Sequence, residues 1–189
     1  MNVAATRFGV SAGVELAAER WGDAASRDVV VLLHGGGQTR HSWARTARQL
    51  AAHGWLAIAY DARGHGDSGR DVDGGYGLDA FVEDLLGLVA TLPAPPVLVG
   101  ASLGGMTSLV AAGEHSEVVR GLVLVDVVVE VGRAGVDRIR DFMTAHADGF
   151  ATLDDVADAI VAYNPERRRP RNLDGLRKNV RQGADGRWY

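Results

Sequence analysis

The chain has 189 residues, 47% of them hydrophobic and 23% charged, enough for one good core and hardly enough for two independent domains. Lysine and arginine total 20 against 24 acidic residues, so the net charge of -4 offers no basis for binding nucleic acid, and with no cysteine there are no disulfides. Met1 to Phe8 has no apolar signal core and no stretch approaches the roughly 18 apolar residues of a membrane helix, so a cytoplasmic protein without membrane contact is expected.

In chain order, Val14–Trp21 reads as an early antiparallel strand punctuated by Gly22-Asp23. Val29–Leu33 is a continuous apolar run, the pattern of a parallel strand buried on both faces. It leads into His34-Gly35-Gly36-Gly37-Gln38 and a helical stretch from Arg40 to His53. Another strand, Trp55 to Tyr60, ends in Asp61-Ala62-Arg63-Gly64-His65-Gly66-Asp67-Ser68. Phe81, Val82, Leu85, Leu86, Val89 and Leu92 recur at helical spacing, so residues 78–92 form an amphipathic helix that must lie on the sheet. Pro93 ends it, and Pro95-Pro96 leads into the next strand.

That strand runs directly into Gly100-Ala101-Ser102-Leu103-Gly104 and then into a helical pattern from Leu103 to Glu114. G-x-S-x-G between strand and helix is the pattern of a nucleophile elbow, which lifts a serine clear of the backbone on a tight turn and aims a helix N-terminus at the reaction centre. Gly121–Asp126 supplies one more buried strand. Beyond it the character changes. Val136, Ile139, Phe142 and Met143 mark a short helix, Thr152 with Asp155 forms a capping box opening a second, and Asn164-Pro165 stops that one. Asn172 caps a third, with Leu173, Leu176 and Val180 on one face.

Three loops at the carboxyl ends of parallel strands, H-G-G-G, D-x-R-G-x-G-x-S and G-x-S-x-G in that order, make the chain resemble the α/β-hydrolase family over about residues 7 to 126. The resemblance implies a mostly parallel, doubly wound α/β sheet with helices on both faces. Residues 1–130 would form its core and 131–189 part of a helical cap. It implies Ser102 as nucleophile, with the backbone N–H groups of Leu103 and Gly36 as oxyanion donors. It implies a small ester-like substrate, and neither a cofactor nor a metal. Carboxylesterase, carbon-carbon bond hydrolase and cofactor-free haloperoxidase or perhydrolase chemistry use the same serine, so these motifs do not separate them. A ligand-binding protein on the same scaffold, without turnover, is the reading from another class.

The family's base is a histidine later in the chain, and only His115 and His146 follow Ser102. His115 lies about 20 Å along the same helix, out of reach of the hydroxyl. The expectation is therefore a hydrolase incomplete after its sixth strand, short by about 60 residues if two strand-helix units remain. Asp126 is either the acid of a variant triad or a structural aspartate. Arg40, Arg63 and the cluster Arg167, Arg168, Arg169 and Arg171 read as solvated surface rather than as an anion site. An open edge at Leu122–Val129, charged only at Asp126, invites pairing with another copy, poor solubility and a broad unfolding transition.

Overall fold

The computed structural model describes residues 3–10, 13–127, 141, 145–146, 148–163, 165–166, 168–170 and 172–189. The expected helix around Val136 and Met143 lies outside these residues. The chain divides into two compact units, 1–129 and 130–189.

The first unit is built on one six-stranded sheet. Its strands are β1 (Val3–Gly9), β2 (Glu15–Trp21), β3 (Val29–Leu33), β4 (Leu56–Tyr60), β5 (Val97–Ala101) and β6 (Gly121–Val125). They are ordered β1-β2-β4-β3-β5-β6. β3 and β4 are buried along their whole length, as continuous apolar runs covered on both faces must be. β3 pairs in parallel with both β4 and β5, and β6 adds in parallel to β5. β2 joins β4 antiparallel and carries β1 as a hairpin partner. β1 has no counterpart in the sequence reading, because Thr6 and Arg7 interrupt its apolar character and only Phe8 is buried.

Helices cover both faces. Leu85, Leu88 and Val82 of α2 (Leu78–Val89) join Ala111 of α3 (Leu103–Glu114) over Val29, Val31, Ile58 and Leu98. On the opposite face Ala47 of α1 (Ala44–Ala52) packs with Trp21, Leu32, Ala57 and Ala59. The expected helix from Arg40 starts as a 3-10 turn, Arg40–Trp43, and becomes α-helical at Ala44. Strand order reverses between β3 and β5, since the chain moves outward from β3 to β4 on one side and from β5 to β6 on the other. A crevice opens at the carboxyl ends of the strands at such a point.

In the second unit, α4 (Leu153–Tyr163) opens on the expected capping box. The Thr152 N–H and hydroxyl donate to the Asp155 carboxylate at 2.9 Å, and the Asp155 N–H donates back to Thr152 Oγ1 at 3.1 Å. The third expected helix is instead a 3-10 turn, Asp174–Lys178, although Asn172 Oδ1 does accept the Asp174 N–H at its start. The chain beyond it turns into a hairpin in which Arg181 and Tyr189 exchange backbone hydrogen bonds. Among the described residues no helix is long and apolar enough to cross a membrane.

Candidate active site

Ser102 occupies the turn between β5 and α3 with φ 47° and ψ -113°, in a region that residues with a side chain seldom adopt. The turn is so tight because strand and helix touch through glycine. A Cβ on Gly104 would stand 2.6 Å from both Leu33 Cβ and Leu33 O, and one on Gly100 only 2.3 Å from Gly104 O. The Gly104 N–H donates to His34 O at 3.1 Å and the Ser102 N–H to Val125 O at 3.2 Å, so the elbow is tied to the strands on either side of it. Ser102 itself is exposed.

The loop after β3 lies against this serine. A Cβ on Gly35 would be 3.4 Å from Ser102 Cβ, which puts the backbone on either side of it beside the hydroxyl-bearing carbon. Gly36 follows and is exposed. The loop is closed by the Gln38 N–H donating to Gly35 O at 3.1 Å and by Gln38 Oε1 accepting the Gly35 N–H at 3.2 Å. Leu103 is the first residue of α3, where backbone N–H groups have no partner within the helix.

His34 anchors the same loop from beneath. Its Nδ1 donates to Gly35 O at 2.8 Å and its Nε2 accepts the Ala62 N–H at 3.0 Å, which assigns the tautomer and occupies both nitrogens. Burial, the leading cause, lowers its pKa to about 4, so the ring is neutral near pH 7. The His65 ring lies tilted against that of His34, 5.1 Å between centroids; its Nδ1 faces Arg63 O at 3.0 Å and its buried Nε2 has no partner among the described residues.

The D-x-R-G-x-G-x-S segment turns out to be a buried scaffold. Asp61 is fully buried, accepts the Arg40 N–H at 2.6 Å and the Asp67 N–H at 2.8 Å, and is paired with the Arg40 guanidinium. Gly66, at φ 47°, brings the backbone so close that a Cβ there would collide with the Asp61 carboxylate at 2.1 Å. Ser68 Oγ donates to Asp61 O and accepts the Ala17 N–H, joining the turn to β2. Arg63 is 1% exposed and grips Asp84 of α2 through Nε at 2.6 Å and Nη2 at 2.7 Å. Its Nη1 reaches Gly75 O at 2.7 Å and Asp71 at 3.3 Å. The expectation that Arg40 and Arg63 face water is therefore wrong. Buried carboxylates hold both, and hydrogen bonding to Asp84 is the main reason the Arg63 pKa is raised. Asp84, a charge on the apolar side of α2, was the available signal.

Asp126 follows β6 at φ 52°, exposed and without a hydrogen-bond or ion-pair partner among the described residues. Its predecessor's carbonyl is the acceptor for Ser102 N–H, so it borders the elbow. His41 lies 3.7 Å from Glu19, His53 is bonded to Gln49 O, and His115 closes the far end of α3. His146 stacks on Phe150 in the second unit. Of the basic cluster, Arg169 is bound to Asp154 and Asp158, while Arg167 and Arg171 lie outside the described residues. Among the described residues no group of three His, Asp or Glu side chains could hold a metal.

Ser102 thus stands exposed on a strained strand-to-helix turn at the switch point of a mostly parallel sheet. The family model described as the alpha/beta hydrolase fold matches residues 28–181, and the chain belongs to that family. It is 32% identical to an esterase of Mycobacterium tuberculosis over 190 aligned residues, 95% of this chain and 60% of that one. It is 30% identical to a 3-hydroxybutyrate-oligomer hydrolase of Cupriavidus necator, over 90% of this chain and 60% of that one. The crystal structure of an α/β hydrolase from Novosphingobium aromaticivorans superposes with a TM-score of 0.81 at 27% identity, covering 98% of this chain and 67% of the other. The chain thus spans 60% of the length of these two curated relatives.

Proposed function

We propose that the chain carries the nucleophile half of a serine hydrolase that cleaves ester or related acyl bonds through an acyl-enzyme on Ser102. The observation that carries this reading is the φ 47°, ψ -113° conformation of an exposed Ser102 packed beside the Gly35 backbone. A positive φ on a serine costs on the order of 1–3 kcal/mol, and such strain persists where the surrounding structure enforces it. Here the glycine contacts and the flanking backbone bonds enforce it, and the result is a hydroxyl presented to an approaching carbonyl. The N–H groups of Gly36 and Leu103 are the proposed donors to the oxyanion that forms on attack. The esterase and oligomer-hydrolase relatives support acyl transfer to water as the reaction class.

The Ser102 proton needs an acceptor, and His34 is unsuited because both of its nitrogens are engaged. An acid works only through the imidazole it orients, so the proposal gives Asp126 no step in residues 1–189. In this reading the 189-residue chain turns substrate over slowly, with oxyanion and binding effects but little activation of the serine. Residues 131–189 are proposed to be part of a helical cap, as the family resemblance implies. The test is hydrolysis of short p-nitrophenyl esters by the chain and by Ser102→Ala. Hydrolysis should be slower in the variant, which keeps only the oxyanion and binding effects. Equal rates would remove the serine from the reaction, and ester binding without any turnover in either protein would favour the ligand-binding reading.

A further inference from the structure

A cleft of about 470 Å³ lies where the carboxyl ends of α2 and α3 meet, at the end of the first unit remote from Ser102. Ser102 precedes the first residue of α3 and the cleft adjoins its last, so the two are separated by about 18 Å of helix. Leu86, Val89, Leu92, Pro95 and Val118 form its walls. Leu86, Leu92 and Val118 rest on the core beneath while staying partly exposed, so the walls are held in place and still offer apolar surface. Residues 93–95 close one side and lead straight into β5, a strand paired on both edges. A concave apolar site of this volume matches a small organic molecule.

The charge around this cleft has one sign. The last carbonyls of a helix have no donor within it, so α2 and α3 both turn the negative ends of their dipoles toward the cleft, and neither has a basic residue in its last turn. No lysine or arginine lies between Arg70 and Arg120, a stretch that includes Asp79, Glu83, Glu114 and Glu117. Glu117 lines the cleft, is exposed, and its carboxylate has no hydrogen-bond or ion-pair partner among the described residues. Glu114 is the last residue of α3. Arg120 does not offset them, because its guanidinium is bound to Asp28 at 2.6 Å and lies over the Trp55 ring. We propose that this cleft binds a small organic ammonium, with the hydrophobic body against Leu86, Val89, Leu92 and Pro95 and the cation at Glu117 and the two helix ends. A carboxylate of the same shape would meet Glu117 and both negative dipole ends and is excluded by like charge. A neutral alcohol keeps the apolar contacts and loses the charge.

The probe is 4-phenylbutylamine, titrated at low salt into the isotope-labelled chain and followed by amide chemical shifts in NMR, with 4-phenylbutanol and 4-phenylbutyrate in parallel. The amine should bind with a dissociation constant on the order of 1 mM, as expected for a ligand of its size in an open cleft. The shifts should map to residues 86–95 and 114–118. The alcohol should bind about threefold more weakly and the carboxylate about tenfold or more, differences of the size that one charge and two helix ends supply near a surface. Glu117→Gln, at an exposed and unpaired position, should weaken the amine by about threefold and leave the alcohol unchanged. Equal affinity for amine and carboxylate, shifts confined to other residues, an amine indifferent to Glu117→Gln, or no binding up to about 20 mM would each overturn the proposal. Should Glu117→Gln fail to fold by circular dichroism, the three ligands on the parent chain decide alone. None of these readouts depends on the activity of Ser102.

Discussion

Replacing Asp84 by asparagine removes the charge that faces Arg63 in the interior while keeping the shape of the side chain. Both side chains are 2% exposed and share two short bonds, at 2.6 and 2.7 Å, so the guanidinium keeps Gly75 O and the longer contact to Asp71 but loses the charge opposite its Nε and Nη2. Breaking one side of a buried pair costs about 3–5 kcal/mol, because the remaining ion stays desolvated. The surviving Asp71 contact and the amide oxygen of the new asparagine recover on the order of 1 kcal/mol. The expected loss for Asp84→Asn is therefore about 2–4 kcal/mol, a large part of the roughly 5–15 kcal/mol that holds a domain together. Arg63→Met with Asp84→Leu removes both ions and should cost less than either single change, since an apolar pair of similar volume replaces a buried ion pair at little cost. Urea unfolding at neutral pH of the parent, both single variants and the double variant closes the cycle. A loss below about 1 kcal/mol for Asp84→Asn, or a double variant less stable than both single variants, would refute the view that Arg63 is a buried cation dependent on Asp84.

Two further predictions probe the site. Gly104→Ala should cost about 1–3 kcal/mol or more, because its methyl meets Leu33 Cβ and O at 2.6 Å, and should slow labelling of Ser102 by a fluorophosphonate; unchanged stability and labelling would mean that the elbow needs no close approach there. His34 has a folded pKa of about 4 against an ordinary 6.5, so between these values the unfolded chain binds the extra proton and stability falls as the pH drops. The parent should lose on the order of 3 kcal/mol more than His34→Gln between pH 7 and pH 4, measured by urea midpoints, and parallel pH profiles for the two proteins would contradict the buried neutral ring.

The elbow was legible in the sequence because its demands are local: an apolar strand, glycines at fixed offsets and a helix that starts immediately after Ser102. β3, β4 and β6 were legible as continuous apolar runs, although β6, expected to be buried, is exposed from Val123 to Val125, and the Thr152–Asp155 box was legible because capping involves residues three apart. Arg63 and Arg40 were misread because their partners lie 21 residues away, at Asp84 and Asp61 respectively, and no local pattern announces a pair at that distance. β1 was missed because its register comes from pairing with β2 rather than from its own apolar alternation. The 3-10 turn at Asp174–Lys178 was read as a helix from the spacing of Leu173, Leu176 and Val180, but the Leu176 and Asn179 N–H groups bond three residues back and the hairpin then claims the chain. That His34 has both nitrogens occupied follows from the Ala62 N–H, which a distant strand end brings to it.

The nucleophile assignment at Ser102 is tested most directly by exposing the chain to a fluorophosphonate and locating the adduct by peptide mass spectrometry, with Ser102→Ala in parallel. The account predicts slow formation of a single adduct on the peptide that contains Ser102 and none on the variant. An adduct on another residue, equal labelling of the variant, or no labelling under conditions that saturate a control serine hydrolase would contradict it.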